Sequence, residues 1–143
     1  MNPKVWLRLA EEVSQNATCP RINCGTVLTK DGAIISVGWN GSAANSGGCC
    51  HVEDGHCLSA VHSEVRAITA AARQGHSTLG ATAFLNQMPC QNCLSALSEA
   101  GVVKVWYSGT YHLSAPGNRW VSPELMDHLD VQQYRETDPV QAP

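Results

Sequence analysis

Two short motifs constrain the fold of this chain because together they carry the ligands of one metal ion. His62 begins the sequence H-S-E, and Pro89 begins the sequence P-C-Q-N-C. One imidazole and two thiolates, from His62, Cys90 and Cys93, are three of the four ligands of a tetrahedral zinc ion and leave the fourth position for water. Zinc lowers the pKa of such a water to about 7. Glu64 is then the residue to carry its protons, so the folded chain must bring the two motifs together.

The combination of the two motifs is more specific than either motif alone. C-x-x-C also occurs as a redox pair in thioredoxin-like proteins, and a single histidine at a helix start is more often a cap or a surface residue. H-x-E followed by P-C-x-x-C is the signature of zinc deaminases that act on nucleobases. The motifs therefore favour hydrolytic deamination at zinc, and the alternative is a zinc protein without chemistry.

Composition limits the classes of protein that fit. With 143 residues, 43% of them hydrophobic and 15% charged, we expect a single domain over 1–143 with a frayed tail over 136–143. A formal net charge of −3 disfavours a surface that grips nucleic acid, whereas a nucleotide needs only one anion site. Charged residues interrupt the stretch 1–13, which predicts neither a signal peptide nor a membrane span. Seven cysteines, an odd number, are expected to be thiols and metal ligands of a cytoplasmic protein.

Local sequence patterns predict helices and strands in alternation. Asn2 and Pro3 form a helix start signal, and the turn pair Asp31-Gly32 predicts a hairpin. The stretch 40–57 has no apolar period, which predicts a long functional loop. The predicted helices span residue 2 to about 14–16, 61–74, 90–100 and 123–129, and the predicted strands span 25–29, 33–39, 81–86 and 102–108. The apolar stripe of the first helix is Trp6, Leu9, Ala10 and Val13. The buried face predicted for the second helix is Val61, Val65, Ile68 and Ala72, and Gly75 is its C-cap.

This order places both motifs at the start of helices. His62 begins one predicted helix and Cys90 the next, so two helix N-termini direct their partial positive charge at one place. Such a field lowers the pKa of thiols and favours hydroxide at a metal. The strands over 81–86 and 102–108, which a helix joins, form a right-handed crossover and are predicted to be parallel.

The chain resembles the deoxycytidylate (dCMP) deaminases of bacteria and phages, within the cytidine deaminase-like superfamily. Besides the two motifs, the matching pieces are Cys19-Pro20-Arg21, Val37-Gly38-Trp39-Asn40-Gly41, Asp54-Gly55-His56-Cys57, Gly101-Val102, Tyr107 and Tyr111-His112. The resemblance implies a three-layer α/β/α fold with a mixed five-stranded sheet flanked by helices. It implies conversion of dCMP to dUMP with release of ammonia, a hydrolase reaction at a cyclic amidine C–N bond.

The resemblance also implies roles for further residues and for partners. Asn40 would contact the sugar, and the backbone N–H of Ser63 would meet the pyrimidine carbonyl. A phosphate needs a cation, for which Arg21 is the first candidate and Arg66 or His112 the next. Tyr111 is a further candidate for substrate binding. Many family members are hexamers that dCTP and dTTP regulate, so a regulated homo-oligomer is expected.

Two departures from the family pattern lie beside the H-x-E motif. Ser63 stands where the family usually has Ala, and Arg66 stands where it usually has Asn. Arg66 brings a fixed positive charge one helical turn from Glu64. It points either into solvent or towards a phosphate or an unusual substrate. The segment 114–120 also lacks the acidic, helical continuation of the family, which counts against nucleotide regulation.

Cysteines and histidines outside the two motifs form a second candidate site. Some phage relatives carry a structural zinc, and Cys19 and Cys49 stand at the matching places, with His56 as the next ligand. A metal there would order the long loop. The alternative is a set of buried free thiols, since cysteine is among the most buried residues.

Several enzyme classes compete with dCMP deamination. They are a nucleoside deaminase, a deaminase of the guanine or pterin type and a polynucleotide editor. Nine Lys and Arg against twelve Asp and Glu disfavour the last, which would need a basic groove. An intact Glu64 disfavours a zinc protein without catalysis.

Overall fold

A computed structural model describes residues 1–45, 51–53, 56–109 and 120–137, with the side chains of Asn45 and His56 outside this description. In chain order its elements are α1 (Pro3–Ser14), β1 (Gly25–Lys30), β2 (Ala33–Trp39), β3 (Gly41–Ser42), a 3₁₀ turn (Ala43–Asn45), β4 (Val52–Glu53), β5 (His56–Cys57), β6 (Ala60–Val61), α2 (Ser63–Gln74), β7 (Thr82–Leu85), α3 (Gln91–Glu99), β8 (Lys104–Tyr107), α4 (Pro123–His128) and β9 (Val131–Gln133). None of the described helices combines the length and the apolar character that a membrane crossing requires.

The central sheet has five strands in the order β2-β1-β7-β8-β9. β1 pairs antiparallel with β2 and β7, whereas β8 pairs parallel with β7 and β9. The mixed five-stranded sheet and the parallel crossover are therefore confirmed. Residue patterns alone missed β9, because its three residues are only half-buried and give no apolar alternation.

Helices cover both faces of the sheet, which gives the expected three layers. On one face, Leu7 and Ala10 of α1 pack against Val27, Phe84 and Trp106. On the other face, α2, α3 and α4 enclose a larger core that includes Leu28, Leu85, Leu94, Leu97 and Val105. Side chains alternate between the faces along β1 and β7, as a two-sided sheet requires.

The predicted buried face of α2 is wrong for Val65 and Ala72, whereas Ile68 is half-buried against the larger core. Val65 is 38% exposed and Ala72 is exposed, while the buried residues of this helix are Ser63, Glu64, Ala67, Ala70 and Ala71. The physical reason is a close approach to β2 at Gly38. A Cβ on Gly38 would lie 2.2 Å from the carbonyl oxygen of Ser63 and 2.5 Å from the nitrogen of Ala67. Only small side chains fit at such a contact, so the apolar stripe does not identify it.

Two further features, the buried face of α1 and the structure of the stretch 40–57, differ from the prediction. The buried residues of α1 are Pro3, Leu7, Ala10 and Ser14, and the remaining stripe residues Trp6, Leu9 and Val13 are half-buried at its flanks. The stretch 40–57 was predicted as a loop, but its described parts contain β3, β4 and β5. β3 pairs with β6, so α2 begins at Ser63 instead of residue 61. Two-residue strands are too short to give a period.

Candidate active site

Three predicted metal ligands lie together where α2 and α3 begin. His62 is the N-cap of α2, Cys90 is the N-cap of α3, and Cys93 lies in the first turn of α3. Their ligand atoms all lie within 4.8 Å of one another, and they form the one such group among the residues that the structure describes. Nδ1 of His62 is 3.3 Å from Sγ of Cys93 and 3.8 Å from Sγ of Cys90. A tetrahedral zinc with bonds of about 2.0 and 2.3 Å separates nitrogen and sulfur by about 3.5 Å, so the geometry fits zinc.

The electrostatics of this group also suit a cation. A hydrogen bond from Cys93 lowers the pKa of Cys90 to about 4, and the same bond raises the pKa of Cys93. A hydrogen bond to Cys90 raises the pKa of His62 to about 9. The Cys90 thiolate thus favours the protonated forms of both of its neighbours. Zinc binding would release these protons, because imidazole and thiol ligands coordinate in their deprotonated forms.

Glu64 lies in the first turn of α2 and is only 6% exposed. Burial raises the pKa of its carboxyl group, and the nearby His62 and a hydrogen bond from Cys93 oppose this effect. The carboxylate therefore faces the metal ligands inside the protein. This is the place that a proton carrier for a zinc-bound water requires.

Two buried hydroxyls connect Glu64 to the sheet. Ser63 Oγ donates to Glu64 Oε2 at 3.2 Å, and Thr26 Oγ1 of β1 lies 2.8 Å from Ser63 Oγ. Thr26 is fully buried and Ser63 is 1% exposed. Sequence reasoning considered only the backbone of Ser63 and missed Thr26, because a threonine within a strand carries no signal of such a contact.

Asn40 is buried and binds the chain segment that precedes β1. Its Oδ1 accepts from the backbone N–H of Cys24 and its Nδ2 donates to the carbonyl of Ile22, both at 2.8 Å. Its backbone adds bonds to Thr18 and Cys24. Asn40 thereby fixes the segment that carries the exposed Arg21.

Arg66 contacts the backbone at the end of β2. Its Nε donates to the carbonyl of Trp39 and its Nη2 to the carbonyl of Ser42, both at 2.8 Å. The guanidinium carbon also lies 5.3 Å from the centroid of the Trp39 ring. The half-buried side chain is thus directed at the protein, so the alternative that it points into solvent is wrong. Its contact with a phosphate stays a prediction.

Several other predicted residues lie outside the described parts of the chain. Tyr111, His112 and Cys49 are among them, and of His56 only the backbone, paired with Glu53 in β4, is described. Cys19 is buried. The second zinc with Cys19, Cys49 and His56 therefore stays a prediction.

Two polar side chains that sequence reasoning missed support the metal-binding turn. Asn86, just after β7, accepts from the backbone of Gly25 at 2.8 Å and donates to Glu11 and to the carbonyl of Asn23. Gln91, between the two cysteines, accepts from the backbone of Ser122 at 2.8 Å and so holds the start of α4. These contacts join distant parts of the chain, so local sequence could not indicate them.

Comparison with known proteins agrees with this geometry. The deoxycytidylate deaminase of Enterobacteria phage T4 is 30% identical over 159 aligned residues, covering 82% of this chain and 82% of the phage protein. ComE operon protein 2 of Bacillus subtilis is 33% identical over 99 residues; the match covers 66% of this chain and 52% of that protein, so the chain spans about half of its length. A crystal structure of dCMP deaminase from cyanophage S-TIM5, in complex with dCMP and dUMP, has a TM-score of 0.76 and 28% identity, covering 94% of this chain and 99% of the other.

A family model agrees with these relatives and with the candidate site. It describes the cytidine and deoxycytidylate deaminase zinc-binding region and matches residues 2–109. The match includes His62, Glu64, Cys90 and Cys93, and therefore every residue of the zinc group and the carboxylate beside it. The chain belongs to the family of cytidine and deoxycytidylate deaminases that share this zinc-binding region.

Proposed function

We propose that this protein is a zinc-dependent dCMP deaminase, which converts dCMP and water to dUMP and ammonia. The observation that carries the proposal is the His62, Cys90 and Cys93 group with the buried Glu64 beside it, in a member of this deaminase family. The named dCMP deaminases of two phages, one similar in sequence and one in fold, support dCMP as the substrate.

The chemistry divides between the metal and the side chains of this chain. Zinc held by His62, Cys90 and Cys93 would supply an activated water. Glu64 accepts one proton of this water and delivers it to N3 of the cytosine ring while the water oxygen bonds to C4. Glu64 then takes the second proton from that oxygen and delivers it to the amino group, which leaves C4 as ammonia and leaves a carbonyl at C4. The backbone N–H of Ser63, at the N-terminus of α2, meets the carbonyl oxygen of the base, where the helix dipole favours negative charge.

The role of Glu64 is tested with Glu64→Gln, which keeps the shape of the side chain and removes the proton acceptor. We expect zinc content and folding to be kept, and turnover of dCMP to fall by about 10²–10⁴-fold. Zinc analysis and ammonia release measure the two results. A variant with more than about a tenth of the wild-type rate would refute the proton-carrier role.

Arg21 is the residue that we propose for the phosphate. It is exposed on the segment that Asn40 fixes, and it belongs to the piece Cys19-Pro20-Arg21 that resembles the dCMP deaminases. One Nδ2 hydrogen of Asn40 bonds to Ile22, and the other is the donor that we assign to the sugar hydroxyl. The resemblance to the dCMP deaminases makes Tyr111 and His112 further candidates for substrate binding.

The phosphate assignment is tested by comparing dCMP with deoxycytidine. Arg21→Ala should lower kcat/KM for dCMP far more than for deoxycytidine, because only dCMP offers an anion for a charge-assisted hydrogen bond. Arg73→Ala, which removes an equally exposed charge from the far end of α2, is the matched control. Equal losses on both substrates would move the phosphate site to another residue. Wild-type enzyme that turns over deoxycytidine faster than dCMP would contradict the nucleotide substrate itself.

We propose further that the protein assembles as a homo-oligomer and that dCTP and dTTP regulate it. Exposed apolar side chains, among them Leu58 at 61% and Trp120 at 64%, would be covered in a homo-oligomer such as a hexamer. Light scattering that finds a stable monomer would refute this. Regulation by dCTP and dTTP is tested by adding each nucleotide to the dCMP assay, and no change in rate would contradict it.

A second, structural zinc and a cytoplasmic location complete the proposal. Zinc analysis should give two ions per chain, falling to one in Cys19→Ala or Cys49→Ala, and one ion in the wild type would refute the second site. The sequence has seven cysteines, which we assign as thiols and metal ligands, and this use of cysteine fits a reducing compartment such as the cytoplasm.

A further inference from the structure

The carboxylate of Glu64 is connected to β1 through the hydroxyl groups of Ser63 and Thr26, which have no role in the proposed reaction. Its Oε2 accepts from Ser63 Oγ at 3.2 Å, and Ser63 Oγ pairs with Thr26 Oγ1 at 2.8 Å. Thr26, Ser63 and Glu64 are at most 6% exposed. At such burial, polar groups keep the partners that the protein provides, because water does not compete.

The fold explains how a helix residue reaches the middle of the sheet. Thr26 lies opposite Gly38 in the pairing of β1 with β2. Gly38 has no side chain, so the backbone of α2 at Ser63 rests directly on β2. This contact allows the Ser63 hydroxyl to reach past β2 to Thr26. The two hydroxyls thus lie in a row that ends at the carboxylate of Glu64.

We propose that Ser63 is a positioning residue that fixes the carboxylate of Glu64, with Thr26 holding Ser63 in turn. The proposal rests on the proton-carrier role of Glu64. Ser63 donates to Glu64, and Thr26 donates to Ser63, so each donor orients the next group. A glutamate side chain has three rotatable bonds, and one hydrogen bond to Oε2 limits the rotation of its end. Proton transfer depends steeply on such placement.

The first variants separate the two hydroxyls. Ser63→Ala keeps the backbone N–H and removes the bond to Glu64, so we expect kcat for dCMP to fall about tenfold, the factor that one hydrogen bond to a charged group typically carries. KM should stay within about twofold, because this hydroxyl is buried and is directed at Glu64 and Thr26. Thr26→Val keeps the shape of the side chain and leaves Ser63 able to donate to Glu64, so its loss of kcat should be smaller.

The double variant Ser63→Ala/Thr26→Val distinguishes positioning from general stability. Ser63→Ala leaves the Thr26 hydroxyl buried without its partner, which destabilises the fold, whereas removing both hydroxyls is nearly neutral. Stability in urea should therefore recover in the double variant. The rate should not recover, because Glu64 still lacks its donor. If Ser63 were only structural, kcat would follow stability.

Thr29→Val is the matched control for losing a buried hydroxyl from β1. Thr29 is 1% exposed, and its hydroxyl has no hydrogen-bond partner among the residues that the structure describes. This variant should keep kcat and should not lose stability. All variants are compared as zinc-loaded full-length protein, with zinc per chain measured in each, since His62 adjoins Ser63.

The outcomes separate this proposal from the proposed function. A loss of kcat of threefold or more in Ser63→Ala, with zinc kept and no recovery in the double variant, supports positioning. A smaller loss, or recovery of kcat together with stability, overturns it. Glu64→Gln is measured in the same series. If Glu64→Gln is inactive while Ser63→Ala is fully active, only the positioning fails; if Glu64→Gln stays active, the role of Glu64 itself fails.

Discussion

Replacing Arg66 tests whether a charge beside the active site stabilises the fold or binds the substrate. Arg66 donates hydrogen bonds of 2.8 Å to the carbonyls of Trp39 and Ser42, and its guanidinium carbon lies 5.3 Å from the centroid of the Trp39 ring. These contacts connect α2 to the turn that carries Asn40. We therefore expect Arg66→Ala to loosen this turn and with it the substrate site.

The expected magnitude follows from these three contacts. Hydrogen bonds from a charged donor contribute about 1.5–3 kcal/mol each when buried. Arg66 is half-buried, so about 1 kcal/mol for each bond is the appropriate figure, and the contact with Trp39 adds about 0.5–1 kcal/mol. The free energy of unfolding should therefore fall by about 2.5–3 kcal/mol. Arg66→Lys keeps the charge and the aliphatic stem but not the planar fork, so its loss should be intermediate.

The assay is urea unfolding of zinc-loaded protein, followed by tryptophan fluorescence, because Trp39 lies in the affected contact. Arg73→Ala is the control, since Arg73 is exposed near the end of the same helix and should cost less than about 1 kcal/mol. A loss below about 0.5 kcal/mol in Arg66→Ala would refute the reasoning. Rates decide the second question: a loosened turn lowers kcat/KM for dCMP and deoxycytidine alike, whereas a phosphate contact lowers it for dCMP alone.

Two further predictions concern the metal and the contact between α2 and β2 at Gly38. Removal of zinc by a chelator should abolish dCMP turnover and lower stability, and added zinc should restore both. Added zinc should not restore the turnover of Cys90→Ala or Cys93→Ala. Full activity of metal-free protein would contradict the zinc site. Gly38→Ala should lower the free energy of unfolding by more than about 2 kcal/mol, because its Cβ would overlap the backbone of α2. The control Gly32→Ala has open space around the new Cβ and should cost only about 1 kcal/mol, for its positive φ of 76°. Equal unfolding midpoints for the two variants would show that the close approach does not matter.

Local signals predicted the helix ends and the metal ligands. Asn2 caps α1 by accepting from Lys4, and Gly75 adopts the left-handed conformation after α2, as their residue types indicate. His62, Cys90 and Cys93 meet because each lies at or just after a helix start, a place that caps and motifs define. Such features depend on neighbouring residues, so the sequence contains them.

Features that depend on distant packing could not be predicted in the same way. The apolar period of α2 pointed to Val65, whereas the helix buries Glu64 and Ala67. That choice depends on Gly38, which lies on another element and lets the backbone approach. The partners of Arg66 are likewise backbone carbonyls, which every residue carries and no sequence pattern marks.

The buried face of α2, which lies about 100° from the predicted one, also links the stability of the fold to the placement of Glu64. A helix rotated by about 100° to bury Val65 would move Glu64 away from the metal ligands, to the flank of the helix. The helix instead rests on β2 through small residues, so the carboxylate lies inside and burial raises its pKa. The unfavourable burial of this charge is offset by the nearby His62, by the backbone N–H of Glu64 at the helix N-terminus, and by hydrogen bonds from Cys93 and Ser63. The contact at Gly38 that seats α2 on the sheet is therefore also the contact that places Glu64 beside the zinc ligands.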